Sequence, residues 1–220
     1  VRYTANANGA RIWFTDDAIY YHFTEPVNGD HDDPVWGTGP HDELEATHLN
    51  WTAVRTTVVG SQGFDQLAGQ TPAPGHTNYL IGSGPIDWTT SVPSFRELYV
   101  SDIYPNIDLR FRGSGRRLEY DFIVAPSADP SQLLIRYEGA DSLWISPHGE
   151  LKIATGLGII TERRPVVFQV IEGQVVPVEA QYELIGDDTF GFSIDDYNAN
   201  YQLIVDPMLD FSTFLGGSSN

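Results

Sequence analysis

Short runs of alternating apolar and polar residues recur along the chain, and most are bounded by Gly, Pro, Asp or Asn. A period of two is typical of β-strands with one buried face. Residues 11–15 and 18–23 flank an Asp16-Asp17 turn and predict a hairpin. No window shows three turns of helical periodicity. The pattern therefore predicts an all-β, antiparallel β-sandwich-like fold with long Gly/Pro-rich loops.

The clearest hairpin is predicted for residues 107–124, with Ser114 and Gly115 as a two-residue turn. In that register Leu109 faces Tyr120 on an apolar face, and Asp108 faces Asp121 on a charged face. The Gly/Pro-rich residues 61–84 are predicted to be mostly irregular, apart from 78–81. Further strands are predicted at 49–59, 133–137, 142–146, 150–155, 158–161, 166–171, 174–184, 189–194 and 202–205, with a tight turn at 172–173.

A chain of 220 residues can hold one large β domain or two small ones. We predict one all-β module over residues 1–207, with two packed sub-sandwiches dividing near 125–140 as the alternative. Residues 208–220 are predicted to form a C-terminal strand or linker that leads toward a following repeat or a neighbouring subunit.

The charge balance narrows the choice of partners. Thirty acidic residues against 12 basic ones give a net charge of −18. This disfavours nucleic acid and anionic membrane surfaces, which need a basic footprint. No run approaches the roughly 18 apolar residues of a membrane span, so no membrane insertion is predicted. Cysteine is absent, which excludes a disulfide framework and thiolate chemistry.

Several motifs follow one another in order from residue 78 onward. They are NYLIG at 78–82, DWTTSVP at 87–93, IYPNIDL at 103–109, LEYDFIVAP at 118–126, ADP at 128–130, PVVFQ at 165–169, LIVDP at 203–207 and FSTFLGGS at 211–218. Together they resemble the β-rich N-terminal domain, of unknown function, of bacterial secreted proteins that carry SBBP-type β-propeller repeats. The resemblance is strong from residue 78 to the end and loose over residues 1–50.

The resemblance implies a secreted or cell-surface location and no general enzymatic activity. In that family the STFLGG-like segment leads into the first propeller repeat. Asn106 and Ser127 stand where the family usually or often has Gly. Both are turn positions at which Asn or Ser can replace Gly, so the fold is expected to be unaffected.

Two acidic groups are candidate metal ligands, and Ca²⁺ is the one cofactor that they suggest; none is required. Asp30, Asp32 and Asp33 lie in a loop with alternating oxygen donors, as calcium loops do, but without the EF-hand spacing. A solvated acidic turn is the alternative. The expected Asp108–Asp121 pair needs an offsetting charge, from Arg110 or Arg136 or from bound Ca²⁺. A glycosidase-type acid pair is the third reading.

Aromatic residues suggest a second kind of site. Trp36 lies in a loop of Gly, Pro and Asp and is the candidate ligand platform, because an exposed ring can stack on a sugar. Trp13 and Trp144 lie in alternating strands and are expected to pack in the core.

These observations favour a non-catalytic, extracellular structural or surface-assembly module at the bacterial cell surface, and not an enzyme. Its expected partners are other copies of itself or adjacent domains of the same surface protein. The assembly strand is predicted to be the apolar segment that contains Leu209, Phe211, Thr213 and Leu215. The alternative is a carbohydrate-binding adhesion module whose partners are glycans. The third hypothesis is a hydrolase with a tertiary acid pair.

Overall fold

A computed structural model describes residues 1–7, 9–26, 49–79, 88–114, 117–207 and 209–213, the last range as backbone only. These residues form β-strands and one short 3₁₀ turn, Pro130–Gln132. The prediction of an all-β, sandwich-like fold is confirmed. Within the described ranges no helix has both the length and the apolar character needed to span a membrane.

The strands follow the chain in this order: β1 Tyr3–Ala7, β2 Ala10–Phe14, β3 Ile19–Pro26, β4 Leu49–Val58, β5 Ala68–Tyr79, β6 Thr89–Tyr104, β7 Ile107–Ser114, β8 Arg117–Val124, β9 Ile135–Glu138, β10 Ser142–Ile145, β11 Leu151–Thr155, β12 Gly158–Glu162, β13 Val166–Ile171, β14 Gln174–Val178, β15 Ala180–Leu184, β16 Thr189–Ile194, β17 Leu203–Asp206 and β18 Leu209–Thr213.

The strands build three antiparallel sheets. The first sheet has the order β1-β2-β3-β4-β9-β16-β15, and the second has the order β14-β13-β17-β8-β7-β6-β5. The third sheet has four strands in the order β10-β11-β12-β18. Both seven-stranded sheets therefore contain strands from either side of residues 125–140.

The inner faces of the two large sheets pack on each other and form the core. Phe14 of the first sheet meets Phe111 of the second edge-to-face, with ring centroids 5.1 Å apart. Farther along, Phe122 of the second sheet meets Phe192 of the first at 6.3 Å. Buried residues of the third sheet, among them Ile153 and Ile160, belong to the same continuous cluster. Aromatic pairs in these arrangements stabilise the fold by more than the burial of their surface area alone.

The β2–β3 hairpin forms as predicted, with Phe14 opposite Ile19. The β7–β8 hairpin has the predicted core face, but the predicted register was wrong by two residues. Ser114 pairs with Arg117, so Asp121 lies opposite Arg110 and not opposite Asp108. A shift of two leaves every side chain on the same face, so the hydrophobic pattern cannot distinguish the two registers. The observed register places opposite charges side by side.

Two other strand predictions were wrong. Residues 68–79 form a long strand, β5, although they contain Pro72, Pro74 and Gly75. β5 is an edge strand, and its ladder with β6 has register shifts between Pro72 and His76 and between Thr77 and Tyr79. Edge strands and irregular ladders are where a sheet accepts Pro and Gly. The predicted strand at 174–184 is two strands that belong to different sheets, because the chain crosses over at Glu179.

The two turn positions of the resembled family both have a left-handed backbone. Asn106 has a φ of 62° and Ser127 a φ of 65°. This conformation costs a residue with a Cβ atom about 1–2 kcal/mol, and Asn is among the residues that tolerate it best. The usual Gly of the family is therefore explained by the backbone geometry.

Ser127→Gly should stabilise the chain, because Gly removes this strain while the Ser127 N–H can still donate to the Ala199 carbonyl at 2.8 Å. We expect a net gain of about 0.5–1 kcal/mol, since the greater freedom of Gly in the unfolded chain offsets part of it. Chemical denaturation measures the difference. Ser101→Gly is the control, because Ser101 is exposed in β6 with no positive φ, so that variant should lose stability.

Candidate functional site

A buried carboxyl group lies where the three sheets meet. Glu162 ends β12 and is fully buried. The Tyr120 hydroxyl donates to its Oε2 at 2.8 Å, and the Tyr137 hydroxyl donates to its Oε1. The Tyr182 hydroxyl lies 3.3 Å from Oε2. We call these four residues the Tyr–Glu centre.

Tyr182 also determines where a proton can lie. Its hydroxyl is 2.8 Å from the Arg163 carbonyl, which is shorter than its distance to Glu162. A hydroxyl has one proton to donate, and donation to that carbonyl leaves the Tyr182 oxygen free to accept. A proton on Glu162 Oε2 can then be donated to the Tyr182 oxygen. With Glu162 neutral, each polar group of the centre therefore has a partner.

The surroundings of Glu162 favour this neutral form. Burial raises its pKa to about 7, although the hydrogen bonds from Tyr137, Tyr120 and Tyr182 oppose the rise. Burial and the nearby carboxylate also raise the pKa values of those three tyrosines well above their ordinary value. The tyrosines therefore remain donors over the physiological pH range.

The Tyr–Glu centre joins the third sheet to the sandwich. Tyr120 belongs to the second sheet, Tyr137 and Tyr182 to the first, and Glu162 to the third. Glu162 and its three partners are buried, so the centre presents no surface to a substrate. Its hydrogen bonds hold β12 in position. Sequence reasoning did not identify it. The signal was weak: Glu162 lies two residues after Ile160, on the same face of its strand, and buried tyrosines need a hydrogen-bond partner.

A small cavity of about 20 Å³ lies between the two large sheets, next to Tyr120 and Tyr137. Its walls are almost entirely apolar, with Leu109 and Phe122 among them. The Thr56 hydroxyl lies in this wall, is buried, and has no hydrogen-bond partner among the described groups. The hydroxyl is therefore buried without a compensating hydrogen bond from the described groups, which costs stability.

A second buried carboxyl group is paired with cations. Asp121 is fully buried in the second sheet, where Arg110 Nε donates to its Oδ2 and Arg112 donates to its Oδ1, both at 2.8 Å. Val205 pairs with Phe122, so the next residue along β17, Asp206, lies beside Asp121. Burial and the charge of Asp121 raise the pKa of Asp206 to about 6. The like-charge pair expected at Asp108 and Asp121 is thus found between Asp121 and Asp206.

Asp108 has a different role from the one predicted. It accepts the Tyr99 hydroxyl and the Asp102 N–H, the latter at 2.8 Å, while Asp102 Oδ1 accepts the Asn106 N–H at 3.1 Å. These bonds organise the β6–β7 turn. The structure therefore does not bring Asp108 and Asp121 together as a shared calcium site or as an acid pair. No three His, Asp or Glu side chains of the described ranges converge as metal ligands.

Five other predicted site residues lie outside the described residues, namely Asp30, Asp32, Asp33, Trp36 and Leu215. Calcium binding by the three Asp residues, the ligand platform at Trp36 and the assembly role of Leu215 therefore stay predictions.

The expectation that Trp13 and Trp144 are core residues was wrong. Trp144 is 38% exposed, and Trp13 lies on the outer face of the first sheet, between the inward Ile12 and Phe14.

The C-terminal strand pairs within its own chain. β18 runs antiparallel to β12, from Glu162 opposite Leu209 to Gly158 opposite Thr213, with Phe211 opposite Ile160. The first pair of this ladder is thus formed by the carboxyl-bearing residue of the Tyr–Glu centre. The hydrogen bonds that hold β12 in position therefore also position the strand edge with which β18 pairs.

A family model described as a domain of unknown function, DUF7948, matches residues 1–208. The chain belongs to this family. No curated protein and no solved structure matched the chain. The DUF7948 match ends one residue before β18 begins, so the strand that completes the third sheet follows the span that the family model covers.

Glu162→Gln should remove a pH dependence of stability. Folded Glu162 keeps its proton up to about pH 7, whereas a Glu with the ordinary pKa of 4.5 loses it near that value. Between these values the folded DUF7948 domain binds more protons, so its stability falls as pH rises, by about 3 kcal/mol for this group. Urea denaturation from pH 4 to 8 should show a shallower fall in the variant.

Glu150→Gln is the matched control. Its hydrogen bond with Lys152 lowers the pKa of Glu150, so this carboxyl stays ionised above pH 5 and the wild-type fall should be retained. Asp206, with its raised pKa, adds a fall of the same sign that all three chains share. Equal pH profiles for Glu162→Gln and wild type would contradict the role of Glu162.

Thr56→Val should stabilise the domain, because Val has the shape of Thr without the unpaired hydroxyl. We expect a gain of about 1 kcal/mol in the free energy of unfolding. Thr57→Val, one residue along β4 on the opposite face, is the control and should change stability by less than about 0.5 kcal/mol. A destabilised Thr56→Val chain would show that the hydroxyl has a partner, such as a bound water.

Proposed function

We propose that this DUF7948 domain is a non-catalytic structural module of a bacterial extracellular or cell-surface protein. The proposed attachment strand is β18, which would hold a following repeat or a neighbouring subunit in a fixed orientation. The proposal rests on one observation above all: β18 pairs with β12 along its whole length, although it lies beyond the span of the family match.

The resemblance to domains that precede SBBP-type propeller repeats supports the same role. In those proteins the segment that resembles residues 211–218 leads into the first repeat. A strand paired to the third sheet fixes the direction in which the chain leaves the domain. A flexible linker would not transmit such an orientation.

The geometry of the β11–β12 hairpin identifies which bonds hold β18. Thr155 pairs with Gly158 across a two-residue turn, which makes them a hydrogen-bonded pair. The backbone groups of β12 then alternate, so that Ile159 and Thr161 turn theirs toward β18. Their partners there are Ser212 and Asp210. The N–H of Thr213 faces away from β12.

Ser212→Pro should therefore release the C-terminal strand, because Pro cannot donate the ladder bond to β12. Loss of one such bond corresponds to about 1 kcal/mol and thus to roughly fivefold faster amide exchange in β18. Hydrogen exchange with mass spectrometry measures this, and limited proteolysis should cut the released segment first.

Thr213→Pro is the matched control, since the adjacent N–H that it removes makes no bond to β12. That variant should keep the wild-type protection of residues 209–212. Equal protection in all three chains would show that β18 is not held by this ladder, and the proposed anchoring role would be wrong.

A further inference from the structure

The outer face of the first sheet carries a row of aromatic rings that the core does not use. Inward residues such as Ile12 and Phe14 fill the sandwich, and the alternation turns Trp13 outward. His22 of β3 and Trp51 of β4 lie on the same outer face. We call Trp13, His22 and Trp51 the aromatic row.

The rings of the aromatic row contact one another in sequence across three strands, the first pair stacked and the second tilted. Trp13 lies on His22 with ring centroids 5.2 Å apart and planes inclined by 28°. His22 lies on Trp51 at 6.0 Å and 32°. Trp51 is nevertheless 68% exposed, the largest exposure of any described Trp. Contact with the His22 ring restricts the Trp51 indole on one side while most of its surface remains in water, and such restriction reduces the entropy lost when a ligand binds.

Polar side chains accompany the rings on the same face. Thr24 is directly across the ladder from Trp51, and Arg11 is directly across from His22. Both are exposed, as is Asn6, which pairs with Arg11. Hydrogen-bond donors and acceptors thus lie within one strand spacing of the stacked rings. An apolar protein interface would instead have a core depleted in such groups.

We propose that the aromatic row and its polar neighbours bind a neutral carbohydrate. A pyranose ring has apolar C–H faces, which pack on an indole, and hydroxyl groups at its rim, which reach Thr24, Arg11 and Asn6. The net charge of −18 repels polyanions, so acidic glycans and nucleic acids are poor partners for this face. The site is independent of the anchoring role of β18, and the two proposals can fail separately.

Affinity electrophoresis tests the proposal with the whole 220-residue chain. Native gels containing a β-glucan, a xylan or a galactomannan are compared with a gel containing polygalacturonate. We expect at least one neutral polysaccharide to retard the wild-type chain, and polygalacturonate not to do so. Trp51→Ala should weaken the retarding interaction about tenfold or more, because it removes the stacking surface.

Trp144→Ala is the matched control, because it removes an exposed Trp from the third sheet and should leave retardation unchanged. Trp51→Phe, which retains a ring, should retain part of the binding. Thermal melts of all variants verify that they fold. The proposal is overturned if no neutral polysaccharide retards the chain, or if Trp51→Ala and Trp144→Ala behave alike.

Discussion

The hydrogen bonding of one buried carboxyl group, that of Glu162, determines how the third sheet is attached. Two seven-stranded sheets can close on each other by apolar packing alone, but a four-stranded sheet has less surface to bury. Glu162 compensates with directional bonds to hydroxyls from both large sheets. Each bond is oriented, so β12 is fixed in position as well as held. β11 and β18 are then aligned by β12, because both pair with it.

The two fully buried acids of the described residues, Asp121 and Glu162, are stabilised in different ways. Asp121 accepts hydrogen bonds from the guanidinium groups of Arg110 and Arg112, which form ion pairs with it. Glu162 is surrounded by phenolic hydroxyls, which carry no charge to balance a carboxylate, so burial dominates and its pKa rises. Asp121 thus depends on two charged partners, whereas Glu162 is held by neutral hydroxyls and can take up a proton. A change of pH near 7 therefore alters the charge of the Tyr–Glu centre, where the third sheet contacts the other two.

Features that depend on neighbouring residues in the chain could be predicted from the sequence pattern. The core face of residues 107–124 follows from alternation alone, and the left-handed turns at Asn106 and Ser127 follow from a family that prefers Gly there. The register of that hairpin did not follow, because a shift of two residues preserves both faces. The role of Glu162 did not follow either. It depends on tyrosines from three strands that are far apart in the chain, and no spacing rule encodes such a convergence.

The outer face of the first sheet requires a different explanation from its inner face. Residues there are not constrained by packing between sheets, and polar side chains are the ordinary choice at such positions. Trp13 on β2 and Trp51 on β4 depart from that choice, and the ring of His22, on the intervening β3, contacts both of them. Mutual stacking alone would favour burying all three rings, yet Trp51 remains largely in water. An indole that contacts a ring on one side and faces water on the other suits the proposed carbohydrate site, whereas further burial would stabilise the fold more.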